Sequence, residues 1–236
     1  MWRHPAAKPC LGMLLALPAL WLVYAAANDG LGPNPAEALI RQTGDWTLRA
    51  LCLALAVTPV RVLTGQLVLM RFRRMIGVTV FVYAMLHLLC YAWLDMGLDV
   101  ADITNDIAKR PFILVGFVAL LLLASLAATS FNRAVRWLGP QRWQALHRCV
   151  YAVAALAVLH FYWMRSGKNN FLEVGVYAAI LTTLLAWLTS IHPRSRSVRA
   201  PASIPRKSTN TPPMLNLNAS LTASLAWRRC RTVEGS

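Results

Sequence analysis

Six apolar segments constrain this chain more than any other feature, because each is about as long as a lipid bilayer is thick. They are Leu11–Ala27, Trp46–Leu63, Ile76–Leu94, Phe112–Ala128, His147–Trp163 and Leu172–Ile191. A helix needs about 20 apolar residues to cross a ~30 Å hydrocarbon core. Backbone amides at membrane depth must be paired within the segment, which excludes open strands. The sequence therefore predicts an all-α integral membrane protein, a six-transmembrane-helix bundle.

The chain is strongly basic, and the distribution of its charge predicts the orientation of this bundle. The net charge is +15. With both termini cytoplasmic, the inner segments hold 18 of the 24 Lys and Arg residues, whereas all acidic residues except Glu234 lie outside. Such a bias is typical of membrane proteins, whose cytoplasmic loops are rich in Lys and Arg, and it explains the basic charge without nucleic acid. We therefore expect a multi-pass membrane protein with both termini cytoplasmic and no nucleic-acid partner.

Two domains are expected, and the first helix allows two interpretations. Residues 1–192 form the membrane domain, and the Ser-, Pro- and Arg-rich residues 193–236 form a basic cytoplasmic tail that is either disordered or associated with the surface of the lipid membrane. The segment from Lys8 to Ala27 also resembles a cleavable signal peptide. Five further spans favour a retained signal anchor, with a kink at Pro18.

Three histidines lie within or at the ends of apolar segments, where a polar group is costly and commonly faces a cofactor or a cavity. His87 is about 10 Å from the outer end of the third span, and His160 is about 5 Å from the outer end of the fifth. Two imidazoles at similar depth on different helices suit one haem held from both faces. The alternative is a pair of core histidines bonded to neighbouring carbonyls.

His147 is expected about 20 Å below His160, at the cytoplasmic end of the same span. The position on the third span at a matching depth is Arg73 or Arg74, so no second histidine pair forms. His147 either binds a second haem with a different or shared ligand, or holds another cofactor or a quinone headgroup. It could also simply cap the helix.

Several motifs resemble a known family. Thr43-Gly-Asp-Trp46, Leu53-Ala-Leu-Ala-Val-Thr-Pro-Val-Arg61 and Arg73-Arg-Met-Ile-Gly77 precede Tyr83…Leu86-His87…Tyr91 and Trp143…Leu146-His147-Arg…Tyr151…His160-Phe-Tyr-Trp163. Over about residues 10 to 192 this pattern is similar to the haem-binding membrane subunit of the periplasmic methionine sulfoxide reductase system (MsrQ type). That family lies within the ferric-reductase-like transmembrane group.

The resemblance implies one or two b-type haems bound through His87, His147 and His160, and it also implies FMN. It further implies an electron-transfer subunit of the bacterial inner (cytoplasmic) membrane, which is not itself the sulfoxide-reducing one. Electrons from a quinone or flavin donor would pass to a periplasmic molybdopterin-dependent methionine sulfoxide reductase, which repairs oxidised envelope proteins.

Basic residues near the interfaces are candidates for the haem propionates. They are Arg74 and Arg148 on the inner side and Arg165 on the outer side, although each could equally be an anchor at the interface. The acidic loop Asp95–Asp106 is either a docking surface for a basic partner or a solvated loop. Two other functions stay open: a di-haem cytochrome b with another redox partner, and a small histidine-lined transporter.

Overall fold

The computed structural model describes residues 6–166 and 171–197, with side chains as far as Ser190, and this part of the chain contains helices and no strands. The elements are α1 (Ala7–Ala27), α2 (Pro35–Thr64), a 3₁₀ turn (Leu67–Leu69), α3 (Met70–Cys90), a π-helical turn (Tyr91–Asp95), α4 (Val100–Lys109), α5 (Pro111–Ala128), α6 (Asn132–His147), α7 (Val150–Ser166) and α8 (Phe171–Ser197). Among the described residues, six helical stretches are long and apolar enough to cross a membrane, which confirms the predicted six spans.

Helix α2 begins much earlier than predicted. The side chain of Asn34 accepts a hydrogen bond from the Glu37 amide, and Pro35 occupies the first helical position, so the helix has a favourable start. The predicted start at Trp46 was wrong because charged residues precede it and lower the hydropathy. The added turns carry residues that contact the histidine of the next span.

The core lies between α2, α3, α5, α7 and α8. Its largest fully buried side chains are Leu51 of α2, Val80 of α3, Val153 of α7 and Leu181 of α8. Helix α2 packs on α3 and α5 packs on α7, so the bundle contains two helix pairs. Burial in a membrane bundle is modest, since the outer faces contact lipid rather than water.

Helix α1 is attached to α3 through the hydroxyl of Tyr83. This hydroxyl donates to the carbonyl of Leu15 at 2.8 Å and accepts from the amide of Ala19 at 3.2 Å. An uninterrupted helix would join those two backbone groups directly, and the nearby Pro18 lacks an amide hydrogen. Tyr83 therefore completes the backbone hydrogen bonding of α1 at the proline.

The region between the fourth and fifth predicted spans is helical and kinked. Gly139 has a φ of 75° ahead of Pro140, which breaks α6 into two parts. Helix α6 ends at His147, and the amide of Cys149 donates to Leu146 three residues back, so the chain tightens before α7. The prediction that the fifth span begins at His147 was wrong by three residues.

The acidic loop and the basic tail predicted from the sequence have different outcomes. The acidic loop Asp95–Asp106 contains α4, whose first turn is capped by the carboxylate of Asp99 bonding the amides of Ala101 and Asp102. The predicted tail, 193–236, lies outside the described residues except where α8 continues to Ser197.

Candidate functional site

His87 of α3 and His160 of α7 face each other inside the bundle. Their ring centres lie 6.2 Å apart and the ring planes are inclined by 76°. Both residues are near the ends of their helices, opposite the first halves of α2 and α5. The structure therefore brings together the two histidines that sequence reasoning had matched by depth.

Each imidazole is fixed by a backbone carbonyl of a neighbouring helix. His87 Nδ1 lies 2.8 Å from the carbonyl oxygen of Ile40, and His160 Nδ1 lies 2.7 Å from that of Phe112. A carbonyl can only accept, so Nδ1 carries the proton in both rings and Nε2 keeps its lone pair. Metal-binding histidines commonly have this arrangement.

A glycine lies beneath each ring. A Cβ added at Gly44 would lie 3.2 Å from the ring of His87, and one added at Gly116 would lie 2.9 Å from that of His160. Gly44 follows Ile40 by one helical turn, as Gly116 follows Phe112. The two helix pairs thus hold their histidines in the same way. Ile40 and His87 are 47 residues apart in sequence, and Phe112 and His160 are 48 residues apart.

The two rings open on a cavity of about 350 Å³ between α2, α3, α5 and α7. Its walls near the histidines are apolar, and its charged lining lies at one end. Three arginines and three carboxylates line that end: Arg41, Arg110, Arg165, Glu37, Asp45 and Asp95. The apolar lining includes Leu48, Leu51, Ala84, Leu88, Phe117, Leu120, Val153 and Ala157. A planar aromatic macrocycle with acidic substituents at one edge matches a cavity that has apolar walls and one polar end.

Arg165 is the most enclosed cation at this cavity, with only 8% of its surface exposed. Its guanidinium pairs with Glu173 at 2.8 Å and with Asp45 at 3.5 Å. It also lies over the ring of Phe161, 5.2 Å from the ring centre. This ion cluster joins α2, α7 and α8 beside the cavity.

The histidine pair fits a metal held between two axial imidazoles. A metal–imidazole bond is about 2.0 Å, so two rings on opposite sides of one ion have centres about 6 Å apart. The observed 6.2 Å agrees with this distance. No group of three or more His, Cys, Asp or Glu that could hold a metal occurs in the described part of the chain. The arrangement therefore suits a metal whose other ligands come from a macrocycle.

His147 is placed apart from this pair, at the end of α6 and just before the start of α7. Its ring stacks on Trp143 with ring centres 4.0 Å apart, and its Nε2 lies 3.4 Å from the hydroxyl of Thr129. Arg73 is near enough to this imidazole to affect it electrostatically. The sequence had left Arg73 and Arg74 open as the residue at this depth, and Arg74 is instead bonded to Asn132.

The two inner arginines proposed for propionates have different surroundings. Arg74 Nη1 donates to Asn132 at 2.8 Å and the guanidinium lies over Phe131, so it is directed away from the cavity between the histidines. Arg148 is exposed, immediately after α6. Neither residue lines that cavity.

Sequence reasoning missed the supports of the two histidines. Ile40 and Phe112 contribute only their carbonyls, which carry no side-chain signal. Gly44 and Gly116 could have been found as single glycines in spans, each followed by a histidine after a nearly equal interval.

The fold and the site define a class of protein, namely a helical membrane protein with a pair of imidazoles facing an apolar cavity. Comparison with known proteins identifies the family within this class. The family described as "Ferric reductase like transmembrane component" matches residues 43–158, which include His87 and His147. A protein of Polaromonas naphthalenivorans is 63% identical over 184 residues, which cover 78% of this chain and 84% of that protein.

Two further relatives are also similar to this chain over most of its length. Proteins of Ralstonia nicotianae and of Xanthomonas campestris pv. campestris are 50% and 43% identical, over 76% and 79% of this chain and 83% and 86% of their own lengths. All three relatives are named protein-methionine-sulfoxide reductase heme-binding subunit MsrQ. The chain belongs to the MsrQ family, which confirms the resemblance predicted from its motifs. No solved structure matches it.

Proposed function

We propose that this protein is the membrane electron-transfer subunit of a methionine sulfoxide reductase system and that it binds haem b between His87 and His160. The observation that carries the proposal is the pair of imidazoles 6.2 Å apart, each with Nδ1 bonded to a carbonyl. The names of the relatives, which describe a heme-binding subunit of a methionine sulfoxide reductase, support the same function.

The chain's own residues set the ligand geometry. The carbonyls of Ile40 and Phe112 hold the Nδ1 protons, so each Nε2 can act as an axial ligand. In the described part of the chain no protein group is hydrogen-bonded to either Nε2. The unbonded Nε2 atoms support a ligand role, whereas the two carbonyl bonds are those that a pair of core histidines would also make.

Two histidine ligands define the kind of chemistry that the site supports. A bound b-type haem supplies one-electron transfer between its ferric and ferrous states. With His87 and His160 both holding the iron, the haem would have no free position for oxygen or substrate. The subunit would therefore transfer electrons, and a separate partner would reduce the sulfoxide.

The cations at the polar end of the cavity are proposed to face the propionates. Arg41, Arg110 and Arg165 line this end. Arg41 pairs with Glu37, and Arg110 Nε pairs with Asp106 at 2.8 Å, so both are already held in place. Arg165 is the best enclosed of the three and is therefore the leading candidate.

A second haem position is proposed at His147. Arg73 supplies a cation beside this imidazole, and Trp143 supplies an aromatic face. Arg148 follows His147 directly and is exposed at the same end, where it could face an acidic substituent. Iron counted per polypeptide tests this position: two atoms are expected in the wild type and one in His147→Ala. One atom in both proteins would remove the second haem and leave the first.

The remaining steps of the path are proposals of the same kind. Both termini are cytoplasmic in the inner membrane, as the bias of basic residues supports. Electrons enter near His147 from the quinone pool, with FMN as a further carrier. They leave near His87 and His160 for a periplasmic molybdopterin-dependent methionine sulfoxide reductase.

An optical spectrum of the purified protein tests the central proposal. A reducible b-type spectrum is expected, and both His87→Ala and His160→Ala should lose most of it. His192→Ala, at a histidine beyond the last predicted span, serves as the matched control and should keep the wild-type spectrum. A colourless wild-type protein after reconstitution with haem would contradict the proposal, and ion flux in liposomes would then support the transporter.

Copurification distinguishes the partner. A tagged protein should retain a molybdopterin enzyme that reduces methionine sulfoxide. A haem-containing protein that retains a different redox enzyme would instead support a cytochrome b with another partner.

A further inference from the structure

A second cavity, of about 530 Å³, lies between α1 and α3. We call it the α1–α3 groove. On the α1 side it is lined by the small residues Gly12, Ala16 and Ala19, and on the α3 side by apolar residues such as Val78 and Val82. A Cβ added at Gly12 would contact nothing within 4 Å, so the space beside it is open.

One end of the groove is strongly basic. Lys8, in the first turn of α1, and Arg71 and Arg74, in the first turns of α3, line this end together. Arg74 donates to Asn132, and no ion pair is described for Lys8 or Arg71 in the part of the chain that the structure covers. No acidic residue is among those lining the groove.

The helices on either side of the groove run in the same direction. Tyr83 contacts Leu15 and Ala19 in the middle of α1, while the basic residues of both helices lie at their beginnings. The positive ends of both helix dipoles therefore coincide with the basic end. The groove extends along α3 from Arg71 to Leu86, about 22 Å at 1.5 Å per residue.

These dimensions and charges fit one ligand class. Half of a ~30 Å hydrocarbon core is about 15 Å, which is the depth that an acyl chain of one leaflet occupies. The apolar length of the groove covers that depth and leaves room for a headgroup at the basic end. We propose that the α1–α3 groove binds an anionic phospholipid, with an acyl chain along α1 and α3 and the phosphate at Lys8, Arg71 and Arg74.

The hydrogen bonds of the groove favour a phospholipid over a quinone. A quinone needs neutral donors to its carbonyl oxygens, and the hydroxyls that line the groove belong to Thr79 and Tyr83. Thr79 donates to the carbonyl of Met75 and Tyr83 donates to that of Leu15, so both donors are already used. The cations that line the groove, Lys8, Arg71 and Arg74, recognise a phosphate better than the neutral ring of a quinone.

The proposal does not depend on haem binding, because the groove and the cavity of His87 and His160 have no lining residue in common. The experiment uses the full-length protein in nanodiscs made of phosphatidylglycerol or of phosphatidylethanolamine. Native mass spectrometry after release counts the lipids that stay bound. The wild type should retain one phosphatidylglycerol, and it should retain phosphatidylethanolamine much less.

Two variants separate the headgroup from the acyl chain. Lys8→Gln with Arg71→Gln should bind phosphatidylglycerol roughly 30-fold more weakly, since each basic group near an anionic headgroup is worth about fivefold in affinity. Gly12→Leu fills the groove and should reduce the binding of both lipids. Arg133→Gln with Arg136→Gln removes two cations that do not line the groove and should bind like the wild type.

Three results would overturn the proposal. The first is equal retention of the two lipids by the wild type. The second is a doubly substituted Lys8 and Arg71 variant that keeps phosphatidylglycerol as well as the wild type does. The third is a quinone, rather than a phospholipid, that is released from the wild type and lost on Gly12→Leu.

Discussion

Gly116 and His160 are in such close contact that a Cβ at position 116 would lie 2.9 Å from the imidazole. The helix backbone of α5 thus forms one wall of the histidine's binding position. The same relationship holds between Gly44 and His87, where the distance is 3.2 Å. A side chain at either glycine would therefore require the neighbouring imidazole to move.

Gly116→Ala should displace His160 and weaken haem binding. Overpacking of this kind costs about 1–3 kcal/mol, so the bound haem per polypeptide should fall and the low-spin spectrum should change. Gly44→Ala should have a smaller effect because its contact is looser. Absorbance with electron paramagnetic resonance provides the measurement, and Gly77→Ala, where an added Cβ meets nothing within 4 Å, is the control. An unchanged Gly116→Ala spectrum would show that the ring does not depend on this wall.

His160→Met should keep the haem and raise its midpoint potential. A thioether ligand in place of an imidazole raises haem potentials, here by an amount on the order of 100 mV. Redox titration of the purified variant against the wild type measures the shift. His147→Met serves as the comparison, and it should leave the potential of the haem at His87 unchanged. A potential that responds to His147 but not to His160 would be evidence against the ligand assignment.

Arg165→Met should destabilise the protein by roughly 3 kcal/mol, because removal of one partner leaves Asp45 enclosed without its cation. Thermal unfolding in detergent gives the difference in stability. Arg165→Met combined with Asp45→Asn should recover most of the loss, since the remaining group is neutral. If the double variant were as unstable as the sum of the single ones, the two side chains would not be coupled.

Tyr83→Phe should loosen α1 near Pro18. The substitution removes both hydrogen bonds to α1 and should cost about 1–2 kcal/mol. Hydrogen exchange followed by mass spectrometry should show faster exchange around Leu15 and Ala19 and little change in α7. Tyr24→Phe, at an exposed tyrosine of α1, is the control. Equal exchange in Tyr83→Phe and the wild type would mean that α1 is held by packing alone.

The sequence was sufficient to predict the six spans and to select His87 and His160, because hydropathy and histidines in apolar segments are local signals. The start of α2 was missed because its first turns contain Glu37, Arg41 and Asp45, which resemble a loop in hydropathy but are capped as a helix. The break in the chain after His147 is a backbone effect with no clear signature in composition.

The supports of the site could not be predicted for a different reason. Whether a carbonyl such as that of Ile40 is available to His87 depends on how two helices pack, and packing is not visible in one chain's hydropathy. Likewise, Arg73 and Arg74 are adjacent in sequence, and only the rotation of α3 decides which of them faces His147.

The matching supports of His87 and His160 have a consequence for the direction of electron flow. Each imidazole is bonded through Nδ1 to a carbonyl, at 2.8 Å and 2.7 Å, and each rests on a glycine. If both rings bind one metal as proposed, their backbone supports are alike, and the hydroxyl of Thr43, 3.5 Å from His87 Nδ1, is the difference between them. We therefore expect the direction of any electron current to be set by the unlike ends of the bundle, where donor and acceptor would meet different charges.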